Sequence, residues 1–466
     1  MHDVDGFEVS GARRRASPRR RRRDASVLGW ASALLVALSG CDEPARYECR
    51  RVGEPVRVGP DFGTHQIAKA DGALFWTQAG SESWTGQWAD PSSGEALSAP
   101  LDMGSGDGSR PFWLPDGAGG LVGVLDSTVG SGSFDAHDYY GVWRVGVEES
   151  SRVAVPLDVP SDCDRCVLGG GGGAHGGHSA VSVGGRRLAV IATADPRCVA
   201  IGPTALSRVL RIVDLEDGTS VPVYVADECA TVTTPNLLDV LVDSPWAVAL
   251  SDGNLGILYS HPLGITPRRY VVVSPEGRVI HPPRVVGSDI FRDSRRQYPQ
   301  GRAARVGDHV IFVEGDVMDS ICSRIRVMNE DGTGARDASW QPTCGSATWF
   351  HVQAMGDHVG ILYSIVYVTD DSTTLEDARY DSAAAFVLLD EHGRLVSEQI
   401  FASPLEAAST VAPSRSFLLP LLTSLWVGPQ EADAEELTAT VSYLDRRSEP
   451  PGLFIQEIAC QAEAQR

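Results

Sequence analysis

The chain is almost without lysine: Lys69 is the single one among 466 residues, and arginine supplies the rest of the positive charge. It has no apolar run of the ~20 residues that a membrane-spanning helix needs. The longest candidates are 25–38 and 416–427, and Pro420 interrupts the second. Sustained helical periodicity is scarce, which argues against a helical body. Three catalytic signatures are also missing: the G-x-S-x-G nucleophile elbow, the H-E-x-x-H pair and the G-x-x-x-x-G-K-[ST] phosphate loop. No nucleophile elbow, zincin helix or P-loop therefore organises this protein.

What the chain does have is negative charge. The formal net charge is −21, and the first forty residues carry eight Arg against Asp3, Asp5, Glu8 and Asp24. Everything after them is −25. A body that acidic repels nucleic acid and anionic lipid headgroups, so no nucleic-acid partner is expected. With 42% hydrophobic residues and a mean hydropathy of −0.09, the composition is globular and ample for a large core. The length exceeds a typical single compact domain and calls for several domains or a repetitive architecture.

The N-terminus reads as an export signal. An arginine block is followed by the apolar run 25–38 and then by small residues. The run ends in Leu38-Ser39-Gly40-Cys41, which resembles the lipobox of bacterial lipoproteins: an aliphatic residue, two small residues and a cysteine. The resemblance implies cleavage before Cys41, lipid attachment there, and a place in the bacterial cell envelope on the exported side. Residues 1–40 are then a signal peptide, 41–55 a lipidated N-terminus and short tether, 56–460 the folded body and 461–466 a tail. An ordinary signal peptide, with Cys41 in a disulfide, is the alternative.

Nine cysteines fit an oxidising compartment. With Cys41 acylated, eight remain. Sequence proximity suggests Cys163–Cys166, Cys198–Cys229 and Cys322–Cys344, leaving Cys49 and Cys460 to join the two ends of the mature chain.

Between them a phrase recurs. DGNLGILYS (252–260), GDHVIFVEG (307–315) and GDHVGILYS (356–364) each read as a turn followed by a short β-rich run. Weaker copies are 71–78, 120–127 and 184–193, with a last candidate at 415–422. A second phrase follows after a variable loop: 208–221, 268–280, 323–335 and 384–396, with 140–155 lacking the glycine. These are strand, tight turn, strand, with glycine supplying the positive φ of the reversal. Four short strands per ~50–60 residues is the period of a β-propeller. The expected fold is all-β, a propeller of about seven four-stranded blades, similar in architecture to bacterial propeller lipoproteins. A tandem of β-sandwiches would show no such period.

Three loops invite chemistry. Cys163-x-x-Cys166 with His175 and His178 has zinc-ligand residue types, but its run of glycines gives no rigid scaffold, and disulfide plus loop is the first reading. Asp370, Asp371, Glu376, Asp377 and Asp381 offer oxygen ligands for calcium, without EF-hand spacing; a solvated loop is the plainer reading. Asp308-His309 and Asp357-His358 recur in equivalent turns. That placement predicts a scaffold role, Asp favouring the turn and His facing solvent. No cofactor is expected. The leading functional expectation is a non-catalytic binding or scaffold module, anchored to a membrane by lipid, for an envelope protein or glycan. The alternatives are a propeller hydrolase acting on carbohydrate with two loop carboxylates, and a metal-dependent adhesion module.

Overall fold

In HVIFVE (His309–Glu314) apolar residues do not alternate with polar ones; they occupy both faces of the strand. Val310 and Phe312 enter one core cluster, while Ile311 and Val313 enter another. A strand apolar on both faces must lie between two layers. The computed structural model shows that arrangement. It describes residues 47–60, 64–79, 84–103, 112–126, 140–155, 178–194, 197, 205–206, 208–225, 230–231, 245–259, 268–287, 302–314, 324–342, 347–368, 380–402, 422–428, 436–445, 450 and 452–462. All of these belong to the unit Ala45–Arg466.

Every secondary-structure element described is a β-strand. Seven four-stranded antiparallel sheets succeed one another along the chain. Blade 1 begins at Thr64, blade 2 at Phe112, blade 3 at His178, blade 4 at Trp246, blade 5 at Ala303, blade 6 at Ala347 and blade 7 at Leu422. The first strand of each blade lies against the first strands of the blades before and after it, and blade 7 contacts blade 1, so the ring is closed. Seven hydrophobic clusters fill the seven gaps between successive blades. The core is thus a set of radial layers.

Blade 7 is closed by both ends of the body. Its strands Leu422–Trp426, Glu436–Asp445 and Gly452–Ala462 are completed on the outside by Tyr47–Gly59. Cys49 stands directly opposite Cys460, and the two form a disulfide. In this blade the second strand is Glu436–Asp445, not the 415–422 segment that the repeat phrase suggested. Residues 415–421 lie outside the described residues, and Leu422 opens the first strand.

The second-phrase hairpins are the third and fourth strands of their blades. Gly218, Gly277, Gly332 and Gly393 take φ of 75°, 83°, 78° and 73° in the reversals. At Gly393 a Cβ would also stand 2.5 Å from Ala338 Cβ, so both conformation and space require glycine there.

Candidate functional site

Strand direction gives the ring two faces. On one, the first and second strands of blades 1–6 join, and so do the third and fourth: this is the turn face. On the other, second strands pass to third strands and each blade passes to the next: this is the loop face.

The turn face is stitched from blade to blade. Arg144 of blade 2 donates to the Leu215 carbonyl of blade 3 at 2.9 Å and pairs with Glu216 at 3.1 Å. Arg186 of blade 3 pairs with Glu276 of blade 4 at 3.0 Å. The Ser251 hydroxyl of blade 4 donates to Glu330 of blade 5 at 2.6 Å. Tyr270 of blade 4 donates to the Glu330 carbonyl at 2.9 Å, and burial raises its pKa strongly. Lys69, the lone lysine, joins blade 1 to Glu457 of blade 7 at 2.9 Å.

The two recurrent histidines belong to this stitching. They were expected to face solvent, and they do not do so freely. His309 sets its ring edge-on to His392 of blade 6, centroids 5.3 Å apart. His358 packs against Tyr47 of the closing strand, 4.8 Å between centroids. Burial holds the His358 pKa below the ordinary value, although Asp357 and Asp390 pull the other way. The neighbouring blade supplies the cover, a turn for His309 and the closing strand for His358, which the sequence of one turn does not reveal.

At the loop face the first strands of the blades begin, each beside those of its neighbours. Phe112 opens the first strand of blade 2 and Trp246 opens that of blade 4. Their rings meet at 4.9 Å and 83°, over blade 3. The Trp246 indole N–H donates to the Ala303 carbonyl of blade 5 at 2.7 Å, and the Arg302 guanidinium stands 5.7 Å from its ring. Both rings stay partly exposed. Behind them Glu314, 3% exposed, is ion-paired to Arg326 at 3.2 Å. A side chain at Gly287 would meet both this carboxylate and the Arg268 backbone, so glycine leaves the room that Glu314 occupies.

The gap between blades 1 and 2 beside Phe112 is rich in tryptophan. Trp84, Trp88, Trp113 and Trp143 all enter one cluster. Their indole N–H groups, with Gln66 Nε2 and Thr77 Oγ1, meet no hydrogen-bond partner among the described residues. In the gap between blades 3 and 4, burial pushes the Tyr259 hydroxyl up to about 12 despite Arg269 beside it.

This arrangement bears on the chemistry expected of a hydrolase, which needs two carboxylates ~5–10 Å apart at a pocket mouth. Glu314 and Asp390 are the buried carboxylates among the described residues. Glu314 is held by an arginine. Asp390 lies at the turn face, accepting from the backbone N–H groups of His392 and Arg394 and from the Arg394 side chain. No described cluster of three His, Cys, Asp or Glu side chains is placed to hold a metal.

The sequence-derived sites are distributed unevenly. Cys49 and Cys460 are joined. Cys41, Cys163, Cys166, Cys198, Cys229, Cys322, Cys344, His175, Asp370, Asp371, Glu376 and Asp377 lie outside the described residues. His178 opens the first strand of blade 3 and Asp381 lies in the third strand of blade 6, but their side chains lie outside the described set. Phe112, Trp246 and Arg302 were not anticipated. Aromatic residues opening first strands were the available signal.

No protein-family model matches the chain, and no curated protein matches it. Among solved structures it is similar to a protein of unknown function from Dyadobacter fermentans DSM 18053, with 13% identity over 72% of this chain and 98% of that one, TM-score 0.45. A structure from a study of two prolyl endopeptidases gives 14% identity over 87% of this chain and 54% of that one, TM-score 0.39. The Dos1 propeller gives 8% identity over 89% of this chain and 94% of that one, TM-score 0.38.

Proposed function

We propose that this protein is a lipid-anchored, non-catalytic binding module of the bacterial cell envelope, which holds an envelope protein or glycan at the loop face of its propeller. The anchor reading rests on Leu38-Ser39-Gly40-Cys41 behind a basic block and an apolar run. The binding reading is carried by one observation: at the loop-face ends of the first strands Trp246 meets the Phe112 ring and the Arg302 guanidinium, with both aromatic rings partly exposed. Tryptophan and arginine are the residue types that most often dominate binding surfaces. An indole face also suits the apolar side of a sugar ring. The buried acid at this end is held by Arg326, an arrangement that favours recognition over acid–base chemistry.

Affinity capture from native envelopes tests the reading, using the wild-type chain beside Trp246→Ala. A protein or glycan retained by the wild type and lost with the folded variant is the expected result. Identical captures from both would remove the Trp246 cluster from the recognition surface.

A further inference from the structure

The path of the closing strand fixes which face a lipid on Cys41 would serve. Tyr47–Gly59 is the outer strand of blade 7, antiparallel to Gly452–Ala462, with Tyr47 opposite Ala462 and Gly59 opposite Leu453. Tyr47 packs on His358, the residue that follows the first turn of blade 6. The chain therefore enters the ring at the turn face and reaches the loop face only at Gly59, which precedes the first strand of blade 1.

We propose, on the reading of Cys41 as the anchor, that the turn face is the membrane-proximal surface of this protein and the loop face points away from the lipid. Cys41 and Tyr47 are six residue steps apart, which when fully extended reach about 20 Å. A blade strand of about six residues, at ~3.3 Å each, gives the ring a thickness of about 20 Å, and the edge strand of blade 7, Tyr47–Gly59, is longer still. Seating the loop face on the lipid would use the tether's whole length along the blade edge and leave none to enter the bilayer. Seating the turn face leaves nearly all of it free.

The chemistry of the turn face sets how closely it approaches. Its turns carry carboxylates that accept hydrogen bonds from their own neighbours: Asp90 from Ser92, Asp217 from Thr219 and Asp331 from Thr333. These bonds hold the carboxyl groups ionised. Fixed negative charge repels anionic headgroups over the ~10 Å screening length at 0.1 M salt. The turn face is thus held near the membrane by the tether and kept from adhering to it. The loop face, with Trp246 and Phe112, is left free for a soluble or cell-wall partner.

The lone lysine makes the test direct. Lys69→Arg gives a background with no lysine side chain. Glu148→Lys in the exposed turn 146–149 of blade 2 then marks the turn face. Val285→Lys, at the 56% exposed end of the outer strand of blade 4, marks the loop face. Each full-length chain is labelled with an amine-reactive fluorophore and bound to vesicles carrying a headgroup-attached quencher. Because the faces stand about 20 Å apart, quenching at Glu148→Lys should exceed that at Val285→Lys by about twofold or more. Equal quenching, as for a ring lying on its edge, or the reverse order overturns the orientation. A Cys41→Ser chain should leave the vesicles. If it binds as the parent does, the anchor reading fails, and this proposal fails with it for a separately visible reason.

Discussion

The two faces of the ring do different work with similar residues. On the turn face, charged side chains are spent on the neighbouring blade. Arg144, Arg186 and Glu330 each bridge a gap, and glycine turns such as that at Gly393 tuck under the preceding blade's edge. On the loop face, Arg302 stands beside Trp246 of the preceding blade, and Arg326 pairs with the buried Glu314 within its own blade. Cross-blade bridges fix the spacing of the blades. The loop-face cluster also bridges blades, through the Trp246–Ala303 hydrogen bond, and in addition presents partly exposed aromatic surface. The turn face is thus a scaffold face, and the loop face a presenting face that also joins blades.

The largest test of the scaffold face is removal of its covalent seam. A closed loop the length of the separation between Cys49 and Cys460, 411 residues, is worth about 5 kcal/mol or somewhat more in the chain-entropy model. Cys49→Ser with Cys460→Ser should lower the urea midpoint accordingly. An unchanged midpoint would mean that strand pairing alone closes blade 7.

On the presenting face, Arg326→Ala should destabilise in equilibrium unfolding, by at most about 3–5 kcal/mol, because it removes one cation from the buried Glu314 carboxylate. Adding Glu314→Gln should recover much of that loss. If it recovers none, Arg326 acts through packing rather than charge.

A third comparison uses glycine on the turn face. Gly393→Ala meets both a left-handed backbone, about 1–2 kcal/mol, and Ala338. Gly53→Ala has a similar φ of 70° with nothing within 4 Å of the new Cβ. Gly393→Ala should be the more destabilising of the two in denaturant melts, and equality would mean that the neighbouring blade yields at no cost.

The smallest effect is a pH dependence at the seam. The His358 pKa lies below its ordinary 6.5 in the folded chain. Asp357, Asp390 and Tyr47 are the titratable groups around it. Its contribution to stability is complete above pH 6.5 and fades as pH falls through the lower folded value. Melting temperatures between pH 7.5 and 5.5 should therefore drop more for the wild type than for His358→Gln. A parallel drop would place the titration elsewhere.

Much of the fold could be read from local chemistry. Gly277 and Gly332 announce hairpins because a positive φ is a demand on one residue, visible without knowing the neighbours. The Cys49–Cys460 pairing follows from parity and from two chain ends that must meet. The seventh blade was harder. Residues 427–435 stand where other blades have a tight turn, so ELTATVSYLD carries no turn phrase ahead of it. The aromatic cluster was hidden for a different reason. Phe112 and Trp246 are remote in sequence, and only the packing of blades 2 and 4 on either side of blade 3 brings them together. The histidines of the D-H turns illustrate the same limit: their surroundings belong to another blade.

The position of the disulfide also sets how the protein bears load. Cys49 is the third residue of its strand, and its partner lies in an inner strand of the blade. Tension arriving from the residues before Tyr47 meets a covalent bond after two residues of strand. It then passes to Gly452–Ala462, which is hydrogen-bonded on both sides. The ten residues beyond Cys49 in the outer strand are shielded from peeling. A pull that would otherwise open the ring one hydrogen bond at a time must instead shear an interior strand from its sheet.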